Sequence, residues 1–175
     1  PFGGILLLNK KIDNYLARLI NLKFYEAIIA PDFDINALEI LKSKKNLIII
    51  NSSNLKKANN FIFRSVNSGT LYQEENNYKI TKSKIKLVSK KIASKKTIDD
   101  LIFAYKSAKH IKSNAIVLVS NQQTIGIGAG QMSRLDSTKI AIMKYNNFFK
   151  NKNFVCASDA FFPFTDSIKL LLESG

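Results

Sequence analysis

The sequence has too few cysteines and histidines for a disulfide or for the commonest metal sites. Among its 175 residues there is one cysteine, Cys156, and one histidine, His110. A single cysteine cannot form an intrachain disulfide, and this is typical of proteins from a reducing compartment. One histidine and one cysteine also fall short of the ligands that a zinc ion needs. We therefore expect a cytoplasmic protein that binds no metal.

The sequence also lacks a long apolar run. No stretch approaches the roughly 18 apolar residues that cross a bilayer, and the runs GILLL and NLIII have the length of strands. The start, PFGGILLLNK, has neither the basic leader nor the small-residue cleavage site of a signal peptide. We expect no membrane partner, and since the first residue is Pro1 rather than Met, we expect an internal segment of a longer chain.

Acidic residues are scarce relative to basic ones. There are 13 Asp and Glu against 27 Lys and Arg, and the formal net charge of +14 favours a polyanion such as nucleic acid as a partner. All but three of the basic residues are lysines, however, whereas base and phosphate recognition favours arginine. Because Lys, Asn and Ile are abundant throughout, we attribute the charge to a general compositional drift. We expect no nucleic-acid partner and keep a basic nucleic-acid-binding module as an alternative.

Strands and helices alternate along the chain, without a repeat or an obvious linker, and this predicts one domain of the α/β class. The 46% of hydrophobic residues is ample for a core. A helix is expected from Thr97, with Asp100 completing a weak capping box, and another from Asp166 as N-cap. Strands are expected at 3–9, 26–31, 46–51, 61–66, 114–119, 124–128 and 154–158, with a further strand inside the Lys/Ser-rich stretch 79–96.

Three glycines, at 126, 128 and 130, lie between a predicted strand and a predicted helix. They form G-x-G-x-G, which fails the G-x-G-x-x-G fingerprint of dinucleotide-binding proteins. Glycines allow a ligand to approach the backbone, and Arg134 in the first helical turn offers a positive fork for phosphate or carboxylate. A tight strand-to-helix corner with Arg134 in solvent explains the stretch equally well.

Two polar residues are candidates for catalysis. Asn114 lies between a helix and a strand, and its side-chain amide can donate to an oxyanion. An Asn at such a position more often caps a helix or forms part of a turn. His110 is the only imidazole available as a general base, but no acid at a suitable spacing orients it, so we expect an ordinary helix histidine.

The run ASDAFFPFTD, residues 157–166, is unusual because proline cannot donate to a sheet and the flanking acids favour water. Rings on a loop stiffened by proline form a slot for a flat ligand, and a nearby carboxylate can accept from the amino group of a heterocycle. Phe161 and Phe164 are expected to flank that ligand, with Phe162 facing the core. A hydrophobic plug that caps the sheet is the alternative.

Taken together, SNAIV, IGIGAGQMSR and SDAFFPF closely resemble the transformylase part of the bifunctional purine-biosynthesis enzyme that also carries IMP cyclohydrolase. Weaker similarity covers PFGGI, EAIIAPDFD and RSVNSGTLYQ, so the resemblance spans the whole chain, residues 1–175, as a partial AICAR transformylase domain. It implies a cytidine-deaminase-like mixed sheet flanked by helices and a homodimer with sites at the interface. It also implies formyl transfer from 10-formyltetrahydrofolate to the amino group of AICAR.

The resemblance also implies roles for individual residues. Those on AICAR-contacting positions are Gly3, Glu26, Asn114, Arg134 and Phe161, together with Lys45. Those on folate-contacting positions are Leu135 and Asp166, together with Phe2 and Phe164. Asn114 is the implied catalytic residue, polarising the formyl oxygen as the oxyanion forms.

The sequence departs from the family pattern in several respects. We expect the family's upstream cyclohydrolase domain and its C-terminal glycine-rich segment, with a phosphate-binding arginine, to lie outside this sequence. The family's proton-shuttling lysine-histidine pair lies in an S-x-K-H-x-x-P-x-G motif that this sequence does not contain, and Lys109-His110 is not that pair. Thr165 replaces a usual arginine and Ser68 replaces a glycine. We therefore expect this chain by itself to show no formyl transfer, and a folded remnant without activity is a further alternative.

Overall fold

The structure is a computed structural model that describes residues 3–55, 61–149 and 153–175. It divides into two compact units, Pro1–Asn76 and Asn77–Gly175. Both contain helices and strands, so the α/β prediction is confirmed. None of the helices in the described residues is both long and apolar enough to span a bilayer.

The first unit contains a parallel sheet in the order β1-β2-β3. Its elements are β1 (Ile5–Leu7), α1 (Asn14–Asn21), β2 (Ala27–Ala30), α2 (Ile35–Lys42) and β3 (Ile48–Asn51). Alternate strand residues such as Leu6, Ile28 and Ile49 pack against Ile20 and Leu41 of the two helices. Short apolar strands connected by helices thus produce a βαβαβ arrangement, in agreement with the predicted alternation of strands and helices.

The first unit also contains an antiparallel hairpin of β4 (Phe61–Val66) and β5 (Gly69–Glu74). Asn67 and Ser68 form its two-residue turn. The strand at 61–66 is therefore confirmed, and the glycine-to-serine departure at Ser68 falls in this turn.

The second unit contains an antiparallel sheet in the order β7-β6-β8. Its elements are α3 (Lys95–Ala108), β6 (Ile116–Ser120), β7 (Gln123–Gly128), α4 (Arg134–Phe148), β8 (Val155–Ser158) and α5 (Asp166–Ser174). All of β6 is buried. Its Val117 packs with α3, whereas its Leu118 packs with α4 and α5. Because side chains alternate along a strand, helices cover both faces of β6.

The start of α3 differs from the prediction. The N-cap is Ser94, whose Oγ accepts from the backbone N of Thr97 at 3.1 Å, so the helix begins before Thr97. Asp100 is not part of a capping box, because its carboxylate accepts from the backbone N of Asn121 and Gln122 at 3.1 and 2.7 Å. Both of these turn residues have positive φ, 53° and 55°, which directs their amides towards the carboxylate.

Two further expectations were wrong. The stretch 79–94 contains a single 3-10 turn, Lys82–Lys84, and no strand. Its residues are almost all exposed, although Ile80 and Ile85 line an apolar cavity together with Cys156 of β8. The N-cap of α5 is Thr165, and Asp166 is the first helical residue.

Gly126 and Gly128 allow α4 to lie against β7. A Cβ at Gly128 would stand 1.8 Å from the carbonyl oxygen of Ser137, and one at Gly126 would stand 2.3 Å from that of Ala141. Neither glycine has a positive φ, whereas Gly130 does, at 67°. The first two glycines are therefore explained by helix-strand packing, and the third by the turn that leads into α4.

Gly128→Ala is expected to lower the free energy of unfolding by about 2 kcal/mol or more, since the helix backbone itself must move to admit the methyl group. Gly69→Ala is the matched control, because a Cβ there meets nothing within 4 Å. Urea unfolding of both variants measures the difference. Equal stability of the two variants would contradict the close-packing explanation.

Candidate functional site

A cavity of about 320 Å³ lies in the second unit where β6, α4 and α5 begin. Its lining comes from the segment that leads into β6, from the start of α4 and the residues before it, from the loop after β8 and from the start of α5. These residues are Asn114, Met132, Ser133, Arg134, Leu135, Phe161, Pro163, Phe164, Asp166 and Ser167. Six of the predicted site residues therefore share one cavity, although they are up to 52 positions apart in sequence (from 114 to 166).

The aromatic run forms one wall of this cavity. Phe161 and Phe164 are 80% and 72% exposed and both line it, while Phe162 is turned away and packs against the core that contains Leu171. This is the arrangement that the sequence predicted, with Pro163 between the two rings. The run thus supplies both an open apolar surface and an anchor in the core.

Arg134 is held by two oxygen atoms at the end of β8. Its Nη1 donates to Ser158 Oγ at 2.7 Å and to Asp159 Oδ1 at 2.5 Å. The side chains of Arg134 and Asp159 are 12% and 18% exposed. Because loss of either partner would leave a largely buried charge unpaired, the two hydrogen bonds from Nη1 hold the guanidinium in one orientation.

Asp159 connects this ion pair to the strand beside it. Its Oδ1 also accepts from the backbone N of Ala115 at 3.0 Å. Burial alone would raise the pKa of Asp159, but hydrogen bonds from Ser113, Arg134 and Ala115, with the charge of Arg134, lower that pKa to about 2. The group is therefore ionised at neutral pH.

Asn114 is fixed by the segment that precedes α4. Its Nδ2 donates to the carbonyl oxygens of Gln131 and Met132 at 2.8 and 3.1 Å. The backbone carbonyl oxygen of Asn114 accepts from Ser137 Oγ at 2.6 Å. The peptide bond between Ser113 and Asn114 is cis. Both amide hydrogens are thus engaged with backbone oxygens next to the cavity.

The first unit holds the other predicted residues. Gly3 has a φ of 77°, and a Cβ there would stand 2.3 Å from Glu26 Oε1, so Gly3 and Glu26 are neighbours. Lys45 is exposed in the turn between α2 and β3. Phe2 lies outside the described residues.

The sequence analysis missed several residues that hold the site in place. These are Ser158, Asp159, Gln131 and Ser137, which contact Arg134 or Asn114. Asp159 stands in the same aromatic run and was noted only as its flanking acid. Its partner Arg134 is 25 residues away, a separation at which no local pattern signals a contact.

Two other residues, His110 and Cys156, lie outside this cavity. His110 is exposed just after α3. Cys156 lines a separate apolar cavity with Leu101 and Tyr105, and burial raises the pKa of its thiol to about 12, which keeps the thiol protonated. Within the part of the chain that the structure describes, no group of three or more potential metal ligands comes together.

Comparisons with known proteins agree with the resemblance. A model of the AICARFT/IMPCHase bienzyme family matches residues 1–144. The bifunctional purine biosynthesis protein PurH of Aquifex aeolicus is 43% identical over 175 residues, which cover 99% of this chain and 34% of that protein. PurH of Caldicellulosiruptor bescii is 42% identical over 175 residues, with the same coverage. The chain thus spans about a third of the length of the curated relatives that it matches.

The lowered pKa of Asp159 makes the stability of this unit depend on pH. Because the folded-state pKa is about 2 rather than the usual 3.8, the ionised group stabilises the fold above about pH 4, and this contribution is lost as the pH falls towards 2. The difference in unfolding free energy between the unmodified chain and Asp159→Asn is therefore expected to be constant above pH 4 and to shrink below it. Urea unfolding at several pH values measures this, and a difference that persists unchanged to pH 2 would contradict it.

Proposed function

The chain belongs to the AICARFT/IMPCHase bienzyme family, and we propose that it forms part of the transformylase domain of such an enzyme. The reaction is transfer of the formyl group of 10-formyltetrahydrofolate to the amino group of AICAR in purine biosynthesis. One observation carries the proposal. The residues that the resemblance assigns to AICAR (Asn114, Arg134, Phe161) and to folate (Leu135, Phe164, Asp166) line the same cavity.

A shared cavity suits a reaction between two bound substrates. The amino nitrogen of AICAR attacks the formyl carbon, and a tetrahedral oxyanion forms. Its collapse breaks the bond between that carbon and the folate nitrogen, which releases tetrahydrofolate. Holding both substrates in one cavity makes this attack effectively unimolecular. The rings of Phe161 and Phe164 offer flat apolar surfaces on which the imidazole and pterin rings can pack.

Polar groups in the cavity orient the two substrates. Asp166 accepts a hydrogen bond from the pterin amino group. Its Oδ1 already accepts from the backbone N of Ser167 at 2.6 Å, so the other oxygen, Oδ2, is the acceptor for the ligand. Arg134 binds AICAR through the guanidinium N–H groups that do not donate to Ser158 and Asp159. For Gly3, Glu26 and Lys45, which lie in the first unit, the role towards AICAR stays the one that the resemblance implies.

Asn114 stabilises the oxyanion by donating from its amide. Nδ2 donates to the carbonyl oxygens of Gln131 and Met132 in the structure. Donation to the formyl oxygen therefore exchanges one of these bonds for a stronger, charge-assisted one. The proton acceptor that the resemblance implies is the lysine-histidine pair, which is not in this sequence.

The remaining parts of the proposal concern the whole protein. We propose that residues 1–175 are a partial transformylase domain with a cytidine-deaminase-like sheet, that the complete enzyme is a cytoplasmic homodimer, and that it needs no metal. The substrates are anionic, so a net charge of +14 assists their encounter with the enzyme without any role for nucleic acid.

Asn114→Ala in the full-length protein that contains this segment is expected to lower kcat for formyl transfer by about two to three orders of magnitude, because an oxyanion donor is lost. The KM for AICAR is expected to change far less. The matched control is Asn146→Ala, which removes an exposed amide from the last turn of α4. Steady-state kinetics with normal turnover in Asn114→Ala would exclude the oxyanion role.

Asp166→Asn is expected to raise the KM for the folate substrate about tenfold or more, since a charge-assisted hydrogen bond to the pterin amino group is weakened. The KM for AICAR should stay close to that of the unmodified enzyme. Titrating each substrate at saturating levels of the other measures the two constants separately. Equal changes in both would show that Asp166 acts on the cavity as a whole and would contradict the folate assignment.

A further inference from the structure

The ion pair beneath the cavity restricts what Arg134 can bind. An arginine has five N–H donors, two on each terminal nitrogen and one on Nε. Nη1 donates its two hydrogens to Ser158 Oγ and Asp159 Oδ1. Among residues 3–55, 61–149 and 153–175, Nη2 and Nε have no hydrogen-bond partner in the structure. Arg134 therefore presents only its Nη2/Nε side to a ligand.

The charge around Arg134 argues against a phosphate at this point. The charged residues that line the cavity are Arg134 and Asp166, and Asp159 lies directly against the guanidinium. These three side chains sum to one negative charge, and the beginnings of α4 and α5 add only partial positive charge. A dianion would have to displace or oppose two carboxylates, whereas a neutral acceptor such as a carboxamide oxygen keeps the pairs intact.

Asp159 also couples Arg134 to the catalytic candidate. Its Oδ1 binds the backbone N of Ala115, the residue after Asn114, at 3.0 Å. The backbone N of Asp159 in turn donates to the Ala115 oxygen at 3.3 Å. One carboxylate thus fixes the guanidinium relative to the backbone that carries Asn114.

On this basis, and resting on the proposed function, we infer that Asp159 is a positioning and specificity residue. It orients Arg134 and compensates its charge, so that this part of the cavity accepts a neutral hydrogen-bond acceptor of the AICAR base and rejects phosphate. The phosphate of the nucleotide is then bound away from Arg134.

The test compares Asp159→Asn with Asp136→Asn in this chain. Both variants remove one negative charge, but Asp136 is exposed on α4 and pairs with Lys139 at 3.5 Å. Asn can still accept from Ala115 and Arg134, so the local geometry is retained. Two probes are titrated, inorganic phosphate and the phosphate-free riboside of AICAR. NMR shifts of the Arg134 side-chain N–H groups report binding at this residue alone.

Asp159→Asn is expected to increase the affinity of Arg134 for phosphate about five- to tenfold, because an adjacent charge no longer opposes the anion. It should weaken binding of the riboside, whereas Asp136→Asn should leave both constants unchanged at Arg134. A role of Asp159 in stability alone would not increase any affinity. Equal phosphate binding in the two variants would overturn the inference.

Two outcomes separate this inference from the proposed function. If the unmodified chain does not bind the riboside at Arg134 but the phosphate difference is present, the role of Asp159 stands. The proposed substrate is then decided by the kinetics of Asn114→Ala in the full-length protein. If Asp159→Asn does not fold, the NMR spectrum of the unmodified chain tests the inference instead. A guanidinium that is fixed through Nη1 gives separate Nη1 and Nη2 signals. A single averaged signal would overturn the inference.

Discussion

The carboxylate of Asp159 connects the segments on which the site depends. Through one oxygen it binds the guanidinium of Arg134 at the start of α4 and the backbone of Ala115 at the start of β6. Asp159 itself follows directly after β8 and begins the loop of the aromatic wall. Because buried charges are tolerated only when they are paired and hydrogen-bonded, the positions of these segments are mutually constrained. The cavity lies where they meet.

The close approach of α4 to β7 is the second constraint. Without a side chain at Gly126 and Gly128, the helix backbone reaches the strand at a distance that no other residue would permit. This sets where α4 begins, and therefore where Arg134, Leu135 and the segment that binds Asn114 are placed. A glycine-rich stretch beside a ligand cavity thus acts through packing, and its effect on the ligand is indirect.

Most of the strands were predictable because each is a short apolar run, and central strand β6 is buried on both faces. The strand β5, with the sequence GTLYQE, has no such run and was not predicted. Local polar signals were less reliable. Thr97 and Asp100 fit a capping box, yet Ser94 caps the helix and Asp100 binds the turn between β6 and β7. The 79–96 stretch alternates in the manner of a strand, but before α3 it forms only the 3-10 turn Lys82–Lys84. In each case a tertiary contact, or the lack of one, decided the outcome.

The sequence by itself determined the α/β class, most of the elements, the family resemblance and the residue types of the site. It placed Phe162 in the core and Phe161 and Phe164 outside it, since proline and ring spacing act locally. Only the tertiary structure decided that Arg134 is paired with Asp159 and that the amide of Asn114 is bound by Gln131 and Met132. These contacts join residues 17 to 25 positions apart. The folding of the chain brings such residues together, and no pattern of neighbouring side chains encodes the charge balance that results.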